Sequence, residues 1–181
     1  MKYGISLLLG IGLLTCNHSR KPEQTFIGNP SVVVKENQIE HDVSLDVYDF
    51  GQLEKLWTTK DGNIYIINFW ATWCAPCIKE LPHFEKISEL YSEKNVRVIL
   101  VSLDLPHVYD SKLKPFMVAH QIKSKVIVLD DADMETWVPK VDKAWSGSIP
   151  ATLIFNNEKR QFYEKIFTYE ALDKALQQFL N

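Results

Sequence analysis

The chain has 181 residues, 46% of them hydrophobic, and a formal net charge of -3. Its length suits one domain with a full hydrophobic core, and its composition is that of a folded protein rather than a disordered one. Because its basic residues form no run that would neutralise a phosphate backbone, we do not expect nucleic acid as a partner.

The N-terminal segment has the pattern of an export signal. Lys2 precedes an apolar run from Ile5 to Leu14, which is shorter than the roughly 20 residues of a membrane-spanning helix. The run ends in Leu13-Leu14-Thr15-Cys16, which resembles the lipobox of bacterial lipoproteins. We therefore expect a signal peptide over residues 1–16 and a lipid attached to Cys16. Thr15 is larger than the residue usual there, so ordinary cleavage or a retained anchor stays open.

Residues 17–38 are mostly polar, lack sustained periodicity and contain Pro22, Gly28 and Pro30, so we interpret them as a tether. The short apolar run Val32 to Val34 leaves an added edge strand open. The folded domain is predicted over residues 39–181.

The first half of the domain alternates between strand and helix patterns. Alternation at Val43, Leu45 and Val47 predicts a strand, and helical spacing follows over residues 49–59. We then predict a buried strand over 64–70, a helix over 75–92 that Pro82 should kink, a strand over 96–103 and a helix around 115–121. Strand, helix and strand in this order imply parallel pairing.

The second half predicts a shorter set of elements. They are a strand over 126–129, a partly helical stretch over 133–145, a strand over 151–155, an antiparallel return over 160–167 and a last helix capped by Thr168.

The cysteine pair Cys74 and Cys77 is the strongest chemical signal. Two cysteines at this spacing, at the start of a helix, can close a small disulfide ring, and the helix N-terminus favours a thiolate. We predict that Cys74 is the nucleophile and that Cys77, one turn further, is more buried and resolves the mixed disulfide. Pro76 lies in the first turn, where proline is tolerated.

Two other interpretations of the pair stay open, a static disulfide and half of a metal site. Zinc needs further ligands, yet His41, His83, His107 and His120 are scattered and His18 lies in the tether. We therefore expect no metal and no cofactor apart from a redox-active disulfide.

The string Phe69-Trp70-Ala71-Thr72-Trp73-Cys74-Ala75-Pro76-Cys77, with Pro82 and Ile149-Pro150 following in order, closely resembles the thioredoxin superfamily. The likeness covers roughly residues 40–181 and is strongest to its membrane-tethered TlpA- and ResA-like branch. It implies an α/β thioredoxin fold, with a central mixed β-sheet flanked by helices, an N-terminal extension and an inserted strand-helix unit over the long stretch Leu103 to Lys125.

The same resemblance implies a substrate site. It makes the bond before Pro150 cis and places it against the dithiol, so that Trp73, Ala75, Pro76, Ile149 and Pro150 are predicted to contact substrate. Trp70 has a packing role in our interpretation.

The resemblance also implies a proton carrier. Thioredoxin has a buried aspartate where this chain has Asn68, and ResA-like proteins have a glutamate where it has Glu80. Glu80 is thus a candidate catalytic acid or base, with a solvated carboxylate on the helix surface as the alternative.

We expect a monomeric thiol–disulfide oxidoreductase, lipid-anchored to a membrane of the cell envelope and facing the periplasm. As the likeness implies, an upstream membrane thiol–disulfide donor would keep it reduced, and it would reduce exported disulfide-bearing proteins such as apocytochromes c. An oxidase or isomerase stays open. The alternative from another class is a Cu(I) metallochaperone. A peroxidase ranks last, because no proline-threonine-cysteine motif is present.

Overall fold

A computed structural model describes residues 43–180. The predicted signal, Cys16 and the tether lie outside this range. The helices and strands, in chain order, are β1 Asp46–Tyr48, α1 Phe50–Glu54, β2 Ile64–Trp70, α2 Ala75–Tyr91, β3 Val96–Ser102, α3 Lys114–Ala119, β4 Lys125–Leu129, α4 Met134–Val141, β5 Ala151–Phe155, β6 Arg160–Tyr163 and α5 Tyr169–Gln177. Short 3₁₀ turns over Lys55–Thr58, Ser92–Lys94 and Pro106–Val108 and a π turn over Tyr109–Leu113 connect them.

The six strands form one mixed sheet in the order β1-β4-β3-β2-β5-β6. β1, β4, β3 and β2 are parallel to one another, whereas β5 runs antiparallel to β2 and β6 antiparallel to β5. β2 and β5 are interior strands and are almost wholly buried, because their apolar residues face a layer of helices on either side. The predicted thioredoxin-type α/β fold is confirmed.

Two hydrophobic cores lie on opposite faces of the sheet. On what we call the α2 face, the sheet packs against α2 and α5, with residues such as Trp70, Phe84 and Leu176. On the α4 face it packs against α1 and α4 through a core of aliphatic residues and five aromatic ones: Phe50, Phe69, Trp137, Trp145 and Phe155. The alternation of side chains along each strand divides the residues between the two cores.

Two predicted strands differ from the structure at their ends. β1 begins at Asp46 instead of Val43, because its pairing starts where Asp46 meets Ile127 of β4, and Val47 is 45% exposed on this edge strand. β6 ends at Tyr163 instead of continuing to Phe167. The backbone N–H of Phe167 donates to the Glu80 carboxylate instead of a neighbouring strand, so the chain leaves the sheet.

The remaining elements follow the prediction closely. Pro82 lies inside α2 without ending it, and Thr168 caps α5 by accepting a hydrogen bond from the N–H of Ala171. The stretch from Leu103 to Lys125 has helical turns and α3 and leads into β4, so in the predicted inserted unit the helix precedes the strand. Among residues 43–180, no helix is both long and apolar enough to span a membrane.

Candidate functional site

The cysteine pair lies where β2 ends and α2 begins. Cys74 is the N-cap of α2, and its Sγ accepts a hydrogen bond from the N–H of Cys77 at 3.3 Å. The two residues are joined by a disulfide, with their Cα atoms 5.3 Å apart, within the usual range for such a bond. Cys74 is 5% exposed and Cys77 fully buried, which confirms the predicted order of burial.

The loop before β5 forms the opposite wall of the site. The Ile149-Pro150 peptide bond is cis, as the family resemblance implied. The carbonyl oxygen of Ile149 lies 3.8 Å from Cys74 Sγ. Pairing of Phe69 with Ala151 holds the two segments together, because Phe69 lies five residues before Cys74 and Ala151 immediately follows Pro150.

Glu80 lies one turn beyond Cys77 on the same side of α2, and it is fully buried. The alternative of a solvated helix-surface carboxylate is therefore wrong. Its Oε1 accepts a hydrogen bond from Asn68 Nδ2, and its Oε2 accepts one from the N–H of Phe167, both at 2.8 Å. Burial raises the pKa of Glu80 to about 7, while these two hydrogen bonds oppose the rise.

Asn68 connects Glu80 to the sheet. Its Nδ2 also donates to Thr152 Oγ1 at 3.2 Å, so the amide bridges α2 and β5. Its own Oδ1 is buried and has no hydrogen-bond partner among the described residues. Sequence reasoning noted Asn68 as a departure from thioredoxin, but it found neither Thr152 nor the Phe167 amide, which lies 87 residues from Glu80.

A second polar contact braces the motif loop. Asp104 accepts hydrogen bonds from the N–H of Thr72 at 3.0 Å and from Thr72 Oγ1 at 2.6 Å. Ser102 Oγ donates to the same carboxylate at 2.9 Å. Asp104 is 2% exposed, so these hydrogen bonds satisfy a buried carboxyl group next to the motif. Neither Thr72 nor Asp104 is predicted as a site residue from the sequence, because no spacing rule connects positions 32 residues apart.

The other predicted site residues surround the disulfide at different depths. Trp73 is 67% exposed, Ala75 is exposed and Pro76 is half-buried in the first turn of α2. Trp70 is fully buried, which confirms its packing role. Within residues 43–180 no three His, Cys, Asp or Glu side chains come together as metal ligands.

Curated relatives resemble this chain over part of their length. It is 33% identical over 78 residues to the thiol–disulfide oxidoreductase ResA of Oceanobacillus iheyensis, a match that covers 43% of this chain and 37% of that protein. It is 30% identical over 120 residues to a ResA of Bacillus cereus, covering 64% of this chain and 63% of the relative. The matches therefore span less than two thirds of both relatives.

Solved structures share the fold at low sequence identity. A thioredoxin-related protein from Neisseria meningitidis serogroup B superposes with a TM-score of 0.57 at 20% identity, covering 67% of this chain and 87% of the other. A thiol:disulfide interchange protein of the thioredoxin family from Chlorobium tepidum gives 0.55 at 18%, covering 66% and 81%. Because the AhpC/TSA family model matches residues 40–160, most of the domain just described, the chain belongs to the AhpC/TSA family.

Proposed function

We propose that this protein is a thiol–disulfide oxidoreductase that works through Cys74 and Cys77. The observation that carries the proposal is the disulfide at the N-terminus of α2, with a buried carboxyl of pKa about 7 one helical turn behind it. A group with such a pKa gives up and takes back a proton near neutral pH, as thiol exchange requires. The names of the ResA relatives support the same activity.

The proposed reaction begins with the reduced protein. The Cys74 thiolate attacks one sulfur of a substrate disulfide, which forms a mixed disulfide and releases the first substrate thiolate. The Cys77 thiol then gives its proton to the Glu80 carboxylate and attacks Cys74 Sγ. This step closes the Cys74–Cys77 bond and releases the second substrate thiolate, which takes up a proton. Two electrons pass from the protein to the substrate.

The position of each group supports its proposed part. The N–H of Cys77 donates to Cys74 Sγ, and the N-terminus of α2 stabilises negative charge on this sulfur. Cys77 and Glu80 are both fully buried, so a proton that leaves Cys77 has a carboxylate on the same face of the helix. The Ile149 carbonyl beside Cys74 offers a hydrogen-bond acceptor to a substrate backbone, and Trp73, Ala75, Pro76 and Pro150 complete the surface that we assign to substrate.

We further propose that exported disulfide-bearing proteins, such as apocytochromes c, are the substrates. In this proposal an upstream membrane thiol–disulfide donor keeps the protein reduced, and acylated Cys16 holds a monomer on the periplasm-facing side of a membrane. The pattern of residues 1–16 supports export. A reduction potential near the about -270 mV of thioredoxin would support the reductant role, whereas one near the about -120 mV of DsbA would identify an oxidant.

The test is insulin reduction with dithiothreitol as the electron source. Cys74→Ser should abolish turnover, because the attacking sulfur is lost. Cys77→Ser should accumulate mixed disulfides, detectable as larger species on non-reducing gels, because the resolving sulfur is lost. Cys16→Ser is the matched control, since it replaces the third cysteine, which lies outside the proposed centre, and should leave insulin reduction unchanged. Normal turnover by Cys74→Ser would contradict the proposal.

The role of Glu80 has its own test in the pH profile of exchange. A base must be ionised to act, so the rate at which Cys77 closes the disulfide should rise with pH through about 7. Glu80→Gln should lose this inflection while keeping the first attack by Cys74. An identical profile in the variant would assign Glu80 a structural role only.

A further inference from the structure

A cleft of about 270 Å³ opens at the carboxyl ends of β3 and β4. Its lining combines apolar and acidic residues: Leu103, Leu105, Leu129, Ala132, Met134 and Trp137, with Asp104, Asp130 and Asp131. It is smaller than the roughly 300–1,000 Å³ typical of sites for whole small molecules. Its size fits a single long side chain.

The topology of the sheet marks this position as a ligand site. From β3 the chain turns to the α2 face, where Leu113 and Phe116 pack, and from β4 it turns to the opposite face, where Trp137 of α4 packs. Neighbouring strands whose connections leave to opposite faces create a crevice between their carboxyl ends, and ligands of open α/β sheets bind in such crevices. The cleft occupies this crevice.

Both loops that flank the disulfide also flank the cleft. Asp104 in its wall accepts two hydrogen bonds from Thr72, two residues before Cys74. Met134 in its rim lies beside Gly147, where a Cβ atom would stand 3.9 Å from Met134 Cε, and Gly147 is three residues before Pro150. The cleft therefore adjoins both loops that flank the disulfide.

The cleft is apolar at its floor and negative at its rim. Trp137 is 2% exposed and forms the base, whereas Leu105 is 60% and Met134 41% exposed. The carboxylates of Asp104 and Asp131 accept hydrogen bonds from neighbouring residues, but Asp130 is exposed and forms no ion pair within residues 43–180. No lysine, arginine or histidine is part of the lining.

This combination matches one kind of side chain. Lysine and arginine carry a long apolar stem and a cationic head, and they bury the stem along apolar surface while the head stays at the polar rim. An acidic side chain would meet three carboxyl groups of its own charge. A purely apolar one would leave Asp130 without a partner.

We propose that this cleft binds a lysine or arginine side chain of the substrate polypeptide, adjacent to the disulfide under attack. The proposal rests on the proposed function for the word substrate, although binding itself does not require exchange. The stem lies against Met134 and Trp137, and the cationic head lies at Asp130. The cleft thereby selects exported proteins with a basic residue near the reacting cysteine.

The experiment uses three disulfide-bridged peptides that differ only in one residue next to a cysteine: lysine, norleucine or glutamate. We expect the wild-type protein to reduce the lysine peptide with a kcat/KM about fivefold above that of the glutamate peptide, the scale of one exposed ion pair. Asp130→Asn should reduce this ratio to near one, and Asp130→Lys should reverse it. Glu158→Gln, which removes one charge in the turn between β5 and β6, should keep the wild-type ratio.

Three outcomes would overturn the proposal. They are equal rates for the lysine and glutamate peptides, a ratio unchanged by Asp130→Asn, and a preference for norleucine over lysine, which would identify an apolar occupant. A second experiment separates the cleft proposal from the proposed exchange activity. A cysteine-free lysine peptide is titrated into the oxidised protein, and binding is followed by NMR shifts of the Met134 methyl group. Shifts without any peptide reduction would refute the proposed exchange activity and leave the cleft assignment intact. Absence of shifts would refute the cleft.

Discussion

The two faces of the sheet are built from different chemistry. The α4 face is packed almost entirely with apolar side chains, many of them aromatic, such as Phe69 stacked near Trp137 and Trp145. The α2 face holds the disulfide and, by the alternation along the strands, the buried polar residues of the sheet: Asn68, Ser102 and Thr152, with Glu80 of α2 facing them. Both faces therefore contain a hydrophobic core, but within residues 43–180 only the α2 face also contains buried polar groups of the sheet, where the exchange chemistry is proposed.

The largest expected effect concerns the α4 face and one of its aromatic residues, Phe155. Phe155 is 4% exposed and lies between Tyr65, with ring centroids 5.2 Å apart, and Trp57, at 6.3 Å. Phe155→Ala should lower the free energy of unfolding by about 3–5 kcal/mol, because it leaves a cavity in a packed core. Guanidinium unfolding of the oxidised protein measures this loss. A decrease below about 1 kcal/mol would mean that this face tolerates cavities and contributes little cohesion.

The next largest expected effect on the unfolding free energy concerns the α2 face and depends on pH. The unfolded chain ionises Glu80 near 4.5, but the folded chain keeps its proton up to about 7, so the unfolded state binds fewer protons between these values. The free energy of unfolding should therefore fall as pH rises through this window, by about 3 kcal/mol in all.

Unfolding curves at several pH values compare wild type with Glu80→Gln, which has no proton to lose and should lack this fall. Glu158→Gln is the control, because its carboxylate is exposed and the fall should persist. If the unfolding free energies of wild type and Glu80→Gln changed with pH in the same way, ionisation of the buried Glu80 carboxyl would cost no stability. That result would contradict the difference between the two faces of the sheet.

A smaller effect comes from the bridge between Asn68 and Thr152. Thr152→Val keeps the shape of the side chain but removes the oxygen that accepts from Asn68 Nδ2. We expect a loss of about 1 kcal/mol in unfolding free energy, the net value of one hydrogen bond. Urea unfolding at a pH below 4.5, where Glu80 keeps its proton in both the folded and the unfolded state, isolates this contribution from Glu80 ionisation. A stabilised Thr152→Val would mean that the α2 face gains nothing from this polar contact.

The smallest expected effect concerns an exposed ion pair outside both hydrophobic cores. Lys125 Nζ lies 3.1 Å from the Asp46 carboxylate, and both side chains are about half exposed, at 49% and 54%. Asp46→Asn should therefore change the unfolding free energy by about 1 kcal/mol or less, and less still at high salt. A larger loss, measured by the same urea titration, would mean that β1 depends on this pair.

Sequence patterns predicted the parts of this molecule that depend on local periodicity. β2 and β5 were predicted at their observed bounds, because nearly continuous apolar runs, interrupted only by Asn68 and Thr152, identify strands buried on both faces. The observed start of β1 and end of β6 differ from the predicted ones. Pairing with β4 sets the start of β1, and the contact of Phe167 with Glu80 sets the end of β6. The burial of Glu80 was not evident because polar Lys79 precedes it and its hydrogen-bond donors lie 12 and 87 residues away.

The site followed the same rule. The position of the disulfide came directly from the spacing of Cys74 and Cys77, while the cis bond at Pro150 came only from family resemblance. The acidic cleft had no signal in the sequence, because its residues come from separate loops that the strand order brings together. Distances along the chain carry no information on such contacts.

The pairing of β2 with β5 has a consequence for protein engineering. Phe69 and Ala151 are held opposite each other in the ladder, so the gap between Cys74 and the Ile149 carbonyl depends on strand alignment more than on the tip of the loop. Substitutions of Ala75 and Pro76 should therefore change the electron affinity of the Cys74–Cys77 disulfide without moving the Ile149 carbonyl. A single-residue insertion between Phe69 and Cys74 should instead move Cys74 away from the Ile149 carbonyl.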